Sequence, residues 1–151
     1  MKLIRPVVCS LVVAVTVAAP AFAALGGDAT SVQADLVRMK GALRTTSSAA
    51  FTVHEITTSY GTVVREYVSP GDKVFAVSWR GPVIPDLRQM LGTYYGQYEQ
   101  AASTPHVGGH RHLAIEQPGL MVQSNGRMRA FSGRAWAPDL LPHNFSANDI
   151  N

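Results

Sequence analysis

Residues 51–79, FTVHEITTSYGTVVREYVSPGDKVFAVSW, decide the fold. Apolar, β-branched and aromatic side chains recur there with a period of two, the pattern of strands that bury one face. Ser59-Tyr60-Gly61 and Ser69-Pro70-Gly71-Asp72 divide the stretch into three strands. In the second divider Pro70 presets φ, and Gly71 is expected to take the positive φ of a type II turn. A three-residue loop at 59–61 sets Ile56 opposite Val64, Glu55 opposite Arg65 and His54 opposite Glu66. A turn centred on Pro70-Gly71 sets Phe75 opposite Glu66, Val77 opposite Val64 and Trp79 opposite Thr62. One face then gathers Ile56, Val64, Phe75, Val77 and Trp79 as the predicted core. A one-residue slip would scatter that set.

Upstream of this meander, Val32, Leu36, Met39 and Leu43 follow steps of four, three and four. That spacing predicts a one-sided surface helix starting at Thr30 or Ser31, whose hydroxyls can cap it. Gly41 and the Thr45 to Ser48 run end it shortly after Leu43. Asp35, Arg38 and Lys40 fall between the apolar positions. Downstream, Gly81, Pro82 and Pro85 stop the sheet, and Asp86 caps a second helix carrying Leu87, Met90, Leu91, Tyr94 and Tyr98. Gln97 to Gly109 reads as a loop. Strands are expected at Arg111 to Gln117, Leu120 to Ser124 and Arg127 to Ser132, with a weaker extension to Trp136. Asn125-Gly126 is the strongest hairpin signal. The order is α-βββ-α-βββ: an α+β domain of about six antiparallel strands in two meanders with two helices. Trp79 precedes Pro85-Asp86-Leu87 and Trp136 precedes Pro138-Asp139-Leu140, so the halves could be a duplication.

The chain has 151 residues, 46% of them hydrophobic and 15% charged, a globular balance. Lys2 and Arg5, the apolar run Val7 to Ala19 and the small residues Ala21-Phe22-Ala23 have the order of a cleavable export signal, with cleavage expected after Ala23. The expected divisions are a signal at 1–23, a single domain at 24–143 and a flexible tail at 144–151. The location follows as periplasmic or secreted. Loss of Lys2 and Arg5 leaves 11 Lys and Arg against 10 Asp and Glu, too even a balance for a nucleic-acid binder. The single cysteine, Cys9, leaves with the signal, so the exported product has neither a disulfide nor a thiol nucleophile. No later segment is long and apolar enough to span a membrane.

No recognised catalytic motif is present, neither a nucleophile elbow nor a phosphate loop, which leans against an enzyme. His106, His110 and His112 crowd around Gly108-Gly109. Imidazoles suit zinc or another divalent transition metal, with His143 or Glu116 completing a set. The plainer alternative is a His-rich exposed loop. His54 and Glu66 could form an acid–base pair or an ordinary cross-strand pair. Tyr95 is the tyrosine of the second helix best placed for exposure. Arg127 and Arg129 alternate on one strand face and could meet an anionic partner, or be a solvated edge.

Ala24-Leu25-Gly26-Gly27-Asp28-Ala29, Tyr60-Gly61-Thr62-Val63-Val64-Arg65-Glu66-Tyr67-Val68-Ser69-Pro70, Lys73-Val74-Phe75-Ala76-Val77 and Pro85-Asp86-Leu87-Arg88-Gln89 together resemble a family of exported proteobacterial proteins, domain of unknown function 2844. The resemblance covers nearly the whole exported chain and is strongest over 51–95. It implies a bacterial exported protein and supplies no activity, cofactor or site residue. The expectation is a non-catalytic binding or accessory module of the periplasm or cell envelope, without a cofactor, whose partner is an envelope protein or a glycan. The alternative is a metal-binding protein or metal-assisted hydrolase built on the His106, His110 and His112 loop.

Overall fold

The computed structural model describes residues 25–104 and 112–151. Helix α1 (Ser31–Met39) precedes four strands, β1 (Ala42–Ser47), β2 (Thr52–Thr57), β3 (Val63–Val68) and β4 (Val74–Gly81). Two short helices follow, α2 (Leu87–Leu91) and α3 (Tyr95–Ala102), joined by a 3-10 turn at Gly92–Tyr94. Strands β5 (His112–Gln117), β6 (Leu120–Arg127) and β7 (Ala130–Trp136) complete one antiparallel sheet in the order β1-β2-β3-β4-β7-β6-β5. The two expected meanders are thus joined edge to edge through β4 and β7.

The α+β class holds, with seven strands rather than about six. The additional strand is β1, where Leu43 and the Thr45–Ser47 run were expected to finish and follow a helix. Lys40 takes a left-handed conformation (φ 47°) and the Gly41 amide donates to the Leu36 carbonyl, which closes α1 at Met39. A side chain at Gly41 would lie 2.7 Å from Ile56 Cγ2. The chain therefore enters β1 directly against β2, and the β-branched threonines continue as a solvent-facing edge strand. The helix starts where expected, but its hydroxyls do not cap it: Thr30 donates to the Asp28 carboxylate at 2.6 Å.

The β2–β3 register is the expected one, with Ile56 opposite Val64, Glu55 opposite Arg65 and His54 opposite Glu66. The β3–β4 register is two residues further on, pairing Val64 with Trp79 and Glu66 with Val77. Asp72, not Gly71, takes the positive φ (61°), and Ser69 and Lys73 pair to close a longer turn. A bulge at Tyr67/Val68 adds the second step of the shift. An even shift keeps Val77 and Trp79 on the expected face, while the bulge turns Phe75 to the other. Asn125 and Gly126 do not form the final turn. They lie within β6, opposite Ser132 and Phe131, and the chain reverses at Met128-Arg129 with Arg129 at φ 58°. A turn at Asn125-Gly126 would have set Val122 against Arg129; the observed register sets it against Ala135, and both are fully buried.

Both faces of the sheet are covered. Val64, Val68, Val74, Val77 and Trp79 meet Val122, Ala135, Met90 and Leu91 beneath the helices. Leu25 is buried there too, held by a 3.0 Å hydrogen bond from its amide to Met90. Trp79 lies over Gly133, where any β-carbon would fall 2.2 Å from the indole. On the opposite face Tyr67, Phe75, Ala76 and Trp136 meet Phe145 and Ile150. Fraying was expected from Asn144 onward. The segment instead lies across the sheet, anchored by those two side chains and a Ser146–Asp149 capping box. Trp79 and Trp136 belong to opposite faces, so they are not equivalent positions of a register-preserving duplication. No helix among the described residues is long and apolar enough to cross a membrane.

Candidate functional site

The end of α1, the β2–β3 turn and the segment leading into α2 enclose a surface pocket of about 400 Å3. Each wall has a local cause. The left-handed Lys40 turns the chain away from α1 and leaves Arg38, Met39 and Lys40 along one side. Gly61, at φ 81°, closes the loop that presents Ser59 and Tyr60. Thr62 Oγ1 donates to the Val83 carbonyl at 2.8 Å and fastens that loop to the third wall, Val83 to Asp86. Asp86 accepts from the amides of Arg88 (2.9 Å) and Gln89 (3.2 Å), as expected of a helix cap, which aims Gln89 into the pocket lining. Tyr60 is 74% exposed, and Val83 and Ile84 are half-exposed beside it. Large apolar side chains grouped at a concave site are the usual form of a binding surface.

Behind Gln89 lie two acids. Asp35 of α1 and Glu66 of β3 are 0% and 1% exposed. Asp35 falls on the buried side of α1 with Ser31 and Val32, because steps of three and four from 31 and 32 return to the same side. Glu66 shares a strand face with Val64. Gln89 Nε2 donates to Asp35 Oδ1. Asp35 Oδ2 and both Glu66 oxygens have no donor from any other described group. Each acid acts on the other's proton affinity, and a proton on either carboxyl would supply a donor that these oxygens otherwise lack. Burial, then the Asp35 charge, push the Glu66 carboxyl up to about 9. Burial raises Asp35 to about 6, opposed by the Gln89 amide. His54 sits opposite Glu66 as expected, but its Nδ1 faces Thr45 Oγ1 at 3.0 Å and burial lowers its pKa. The carboxyl that meets Glu66 is thus Asp35, which spacing alone had left between the apolar positions.

Of the other sequence-derived candidates, only Arg127 and His112 are brought together among the described residues. Tyr95 is half-buried on α3, with Arg88 over its ring at 4.7 Å and Tyr98 beside it at 5.8 Å. Arg127 ends β6 and lines a pocket of about 380 Å3 with His112, Asn125 and Ser132. Arg129 is in the turn itself, so it does not alternate with Arg127 on a strand face. Arg134 is engaged structurally, donating to Gln123 and to the Ala147 carbonyl. His112 is exposed on β5, and His106 and His110 lie outside the described residues. Among the described residues no three His, Cys, Asp or Glu side chains converge on a metal-sized site.

These features define an α+β protein: a single antiparallel sheet, helices on one face and its own closing segment on the other, with a surface pocket backed by two buried acids. Residues 21–150 match the family described as protein of unknown function, DUF2844, and the chain belongs to that family. No curated protein and no solved structure matches it.

Proposed function

We propose that this protein is an exported, non-catalytic binding module of the bacterial periplasm or cell envelope, and that the pocket at the end of α1 is its binding surface. The observation that carries the reading is the grouping of Tyr60, Val83 and Ile84, exposed and apolar, in one pocket bordered by Arg38 and Lys40. Such a surface suits an apolar group with a neighbouring negative charge, presented by an envelope protein or an amphiphilic glycan. The two acids do not reach substrate: both are closed off from solvent behind Gln89. The amino-terminal order of charge, apolar run and small residues supports export with cleavage after Ala23.

A photoreactive phenylalanine analogue at position 60, in cells expressing the full chain, tests the surface. A defined adduct is expected there, lost on Ile84→Glu and not formed from position 128, where Met128 is 94% exposed on the β6–β7 turn and does not line the pocket. Equal labelling from 60 and 128, or none from 60, overturns the assignment. The intact mass of the protein recovered outside the cytoplasm tests export, with Ala24 expected as the first residue.

A further inference from the structure

Asp35, Glu66 and Gln89 come from three separate elements, and the two acids take no part in the pocket's surface. Four carboxylate oxygens occupy a buried space in which, among the described residues, the Gln89 amide is the one side-chain donor and three oxygens have no partner. The groups around them do not neutralise two negative charges. On α1, Arg38 is the cation acting on Asp35; ahead of α2, Asp86 opposes it. On β2 the group opposite Glu66 is His54, whose pKa burial lowers and whose Nδ1 faces Thr45, and on β4 it is the apolar Val77. Two neighbouring buried carboxylates without a proton would repel each other and lack donors, a cost relieved when the groups move apart toward water.

We propose that Asp35 and Glu66 form a proton-held latch, in which a proton shared between the two carboxyls fastens α1 to the sheet and its loss releases α1. The covalent balance is simple: the proton leaves to water or base, and no bond other than O–H changes. Release would alter the pocket, because Arg38, Met39 and Lys40 at the end of α1 and Gln89 all line it. The latch goes beyond the binding reading, and its test involves no ligand, so the two fail separately.

Carbon-detected NMR on the mature chain from pH 5 to 10 reads both halves of the proposal. The Glu66 carboxyl carbon is expected to titrate with a proton affinity at least about a thousandfold above that of a free glutamate. The backbone carbon shifts of Ser31–Met39 should move with the same midpoint. In Glu66→Gln, whose amide donates permanently, those helix shifts should lose the alkaline midpoint and keep only the titration of Asp35 itself. Should that variant not fold, Asp35→Asn serves: the Glu66 midpoint should fall toward the ordinary carboxyl range as its charged neighbour disappears. Titration of both acids near their free values overturns the latch. So do α1 shifts that ignore the Glu66 titration.

Discussion

The two faces of the sheet are closed by different means, although the same strands serve both. On one, helices α1–α3 cover a largely aliphatic surface that nonetheless contains two acids. On the other, an irregular closing segment inserts Phe145 among Phe51, Tyr67 and Phe75, with centroids 5.0, 5.9 and 4.8 Å away and rings inclined toward edge-to-face. Side chains of the sheet also reach the segment's backbone: Arg65, Tyr67 and Ser78 donate to the Asn151 carbonyl at 2.9, 3.1 and 2.6 Å. The helix face is a regular layer with a polar interior; the aromatic face depends on a few anchors. Removal of a ring from the fixed part should therefore cost more than removal from the closing segment. Phe75→Ala is expected to destabilise by about 3–5 kcal/mol, whereas Phe145→Ala, where the segment can peel away and leave no cavity, should cost about 2 kcal/mol. Chemical denaturation of both variants checks the ordering, and equal losses would show the closing segment to be held as rigidly as the sheet beneath it.

The polar interior gives the helix face a pH dependence that the aromatic face lacks. Both acids bind protons more tightly folded than unfolded, where their ordinary values are 3.8 and 4.5. Their stabilising protonation is fully present below those values and is lost as pH rises, for Asp35 by about 6 and for Glu66 by about 9. Between about pH 5 and 9 stability should thus fall toward alkali, by at most about 1.4 kcal/mol per pH unit for each proton retained. Above about pH 6 the urea midpoints should flatten in Glu66→Gln and keep their slope in Phe145→Ala. A wild-type stability that rises with pH would contradict the raised carboxyls.

How much of this was legible follows the regularity of each cover. Alternation over 51–79 located three strands and one full register, because every second residue had to face a core. The bulge at Tyr67/Val68 was not legible, and it alone turned Phe75 to the aromatic face. Edge strand β1 was hidden because nothing in Thr45–Ser47 alternates when both faces are solvated. Phe145 and Ile150 lack any period, so the closing segment read as a tail. Glu66 could be placed on the core side, whereas Asp35 needed the turn of α1 counted from Ser31 and Val32 rather than from Leu36. The pocket had no signal beyond isolated apolar residues in loops, which the hydrogen bonds between Thr62 and Val83 fasten together.

Gly133 links the two covers, since it lies on β7 opposite Trp79 and admits the indole against its backbone. Gly133→Ala should displace Trp79 from beneath the helices at a cost of about 1–3 kcal/mol. A blunted tryptophan fluorescence change on unfolding would accompany it, while the aromatic contacts of Phe145 should persist in NMR spectra.

The smallest effect separates polar anchoring from ring packing on the aromatic face. Arg65 bridges Glu55 at 2.7 Å and the Asn151 carbonyl at 2.9 Å, with both charged side chains about one-third exposed. Partial solvation limits such a pair to about 1 kcal/mol. Arg65→Lys keeps the charge but lacks a planar fork able to serve two acceptors at once. It should lose nearly as much as Arg65→Gln, no more than about 1 kcal/mol in either case. If the arginine variants instead matched Phe145→Ala, the closing segment would be held chiefly by its backbone hydrogen bonds, and the aromatic cluster would be the consequence of its docking rather than the cause.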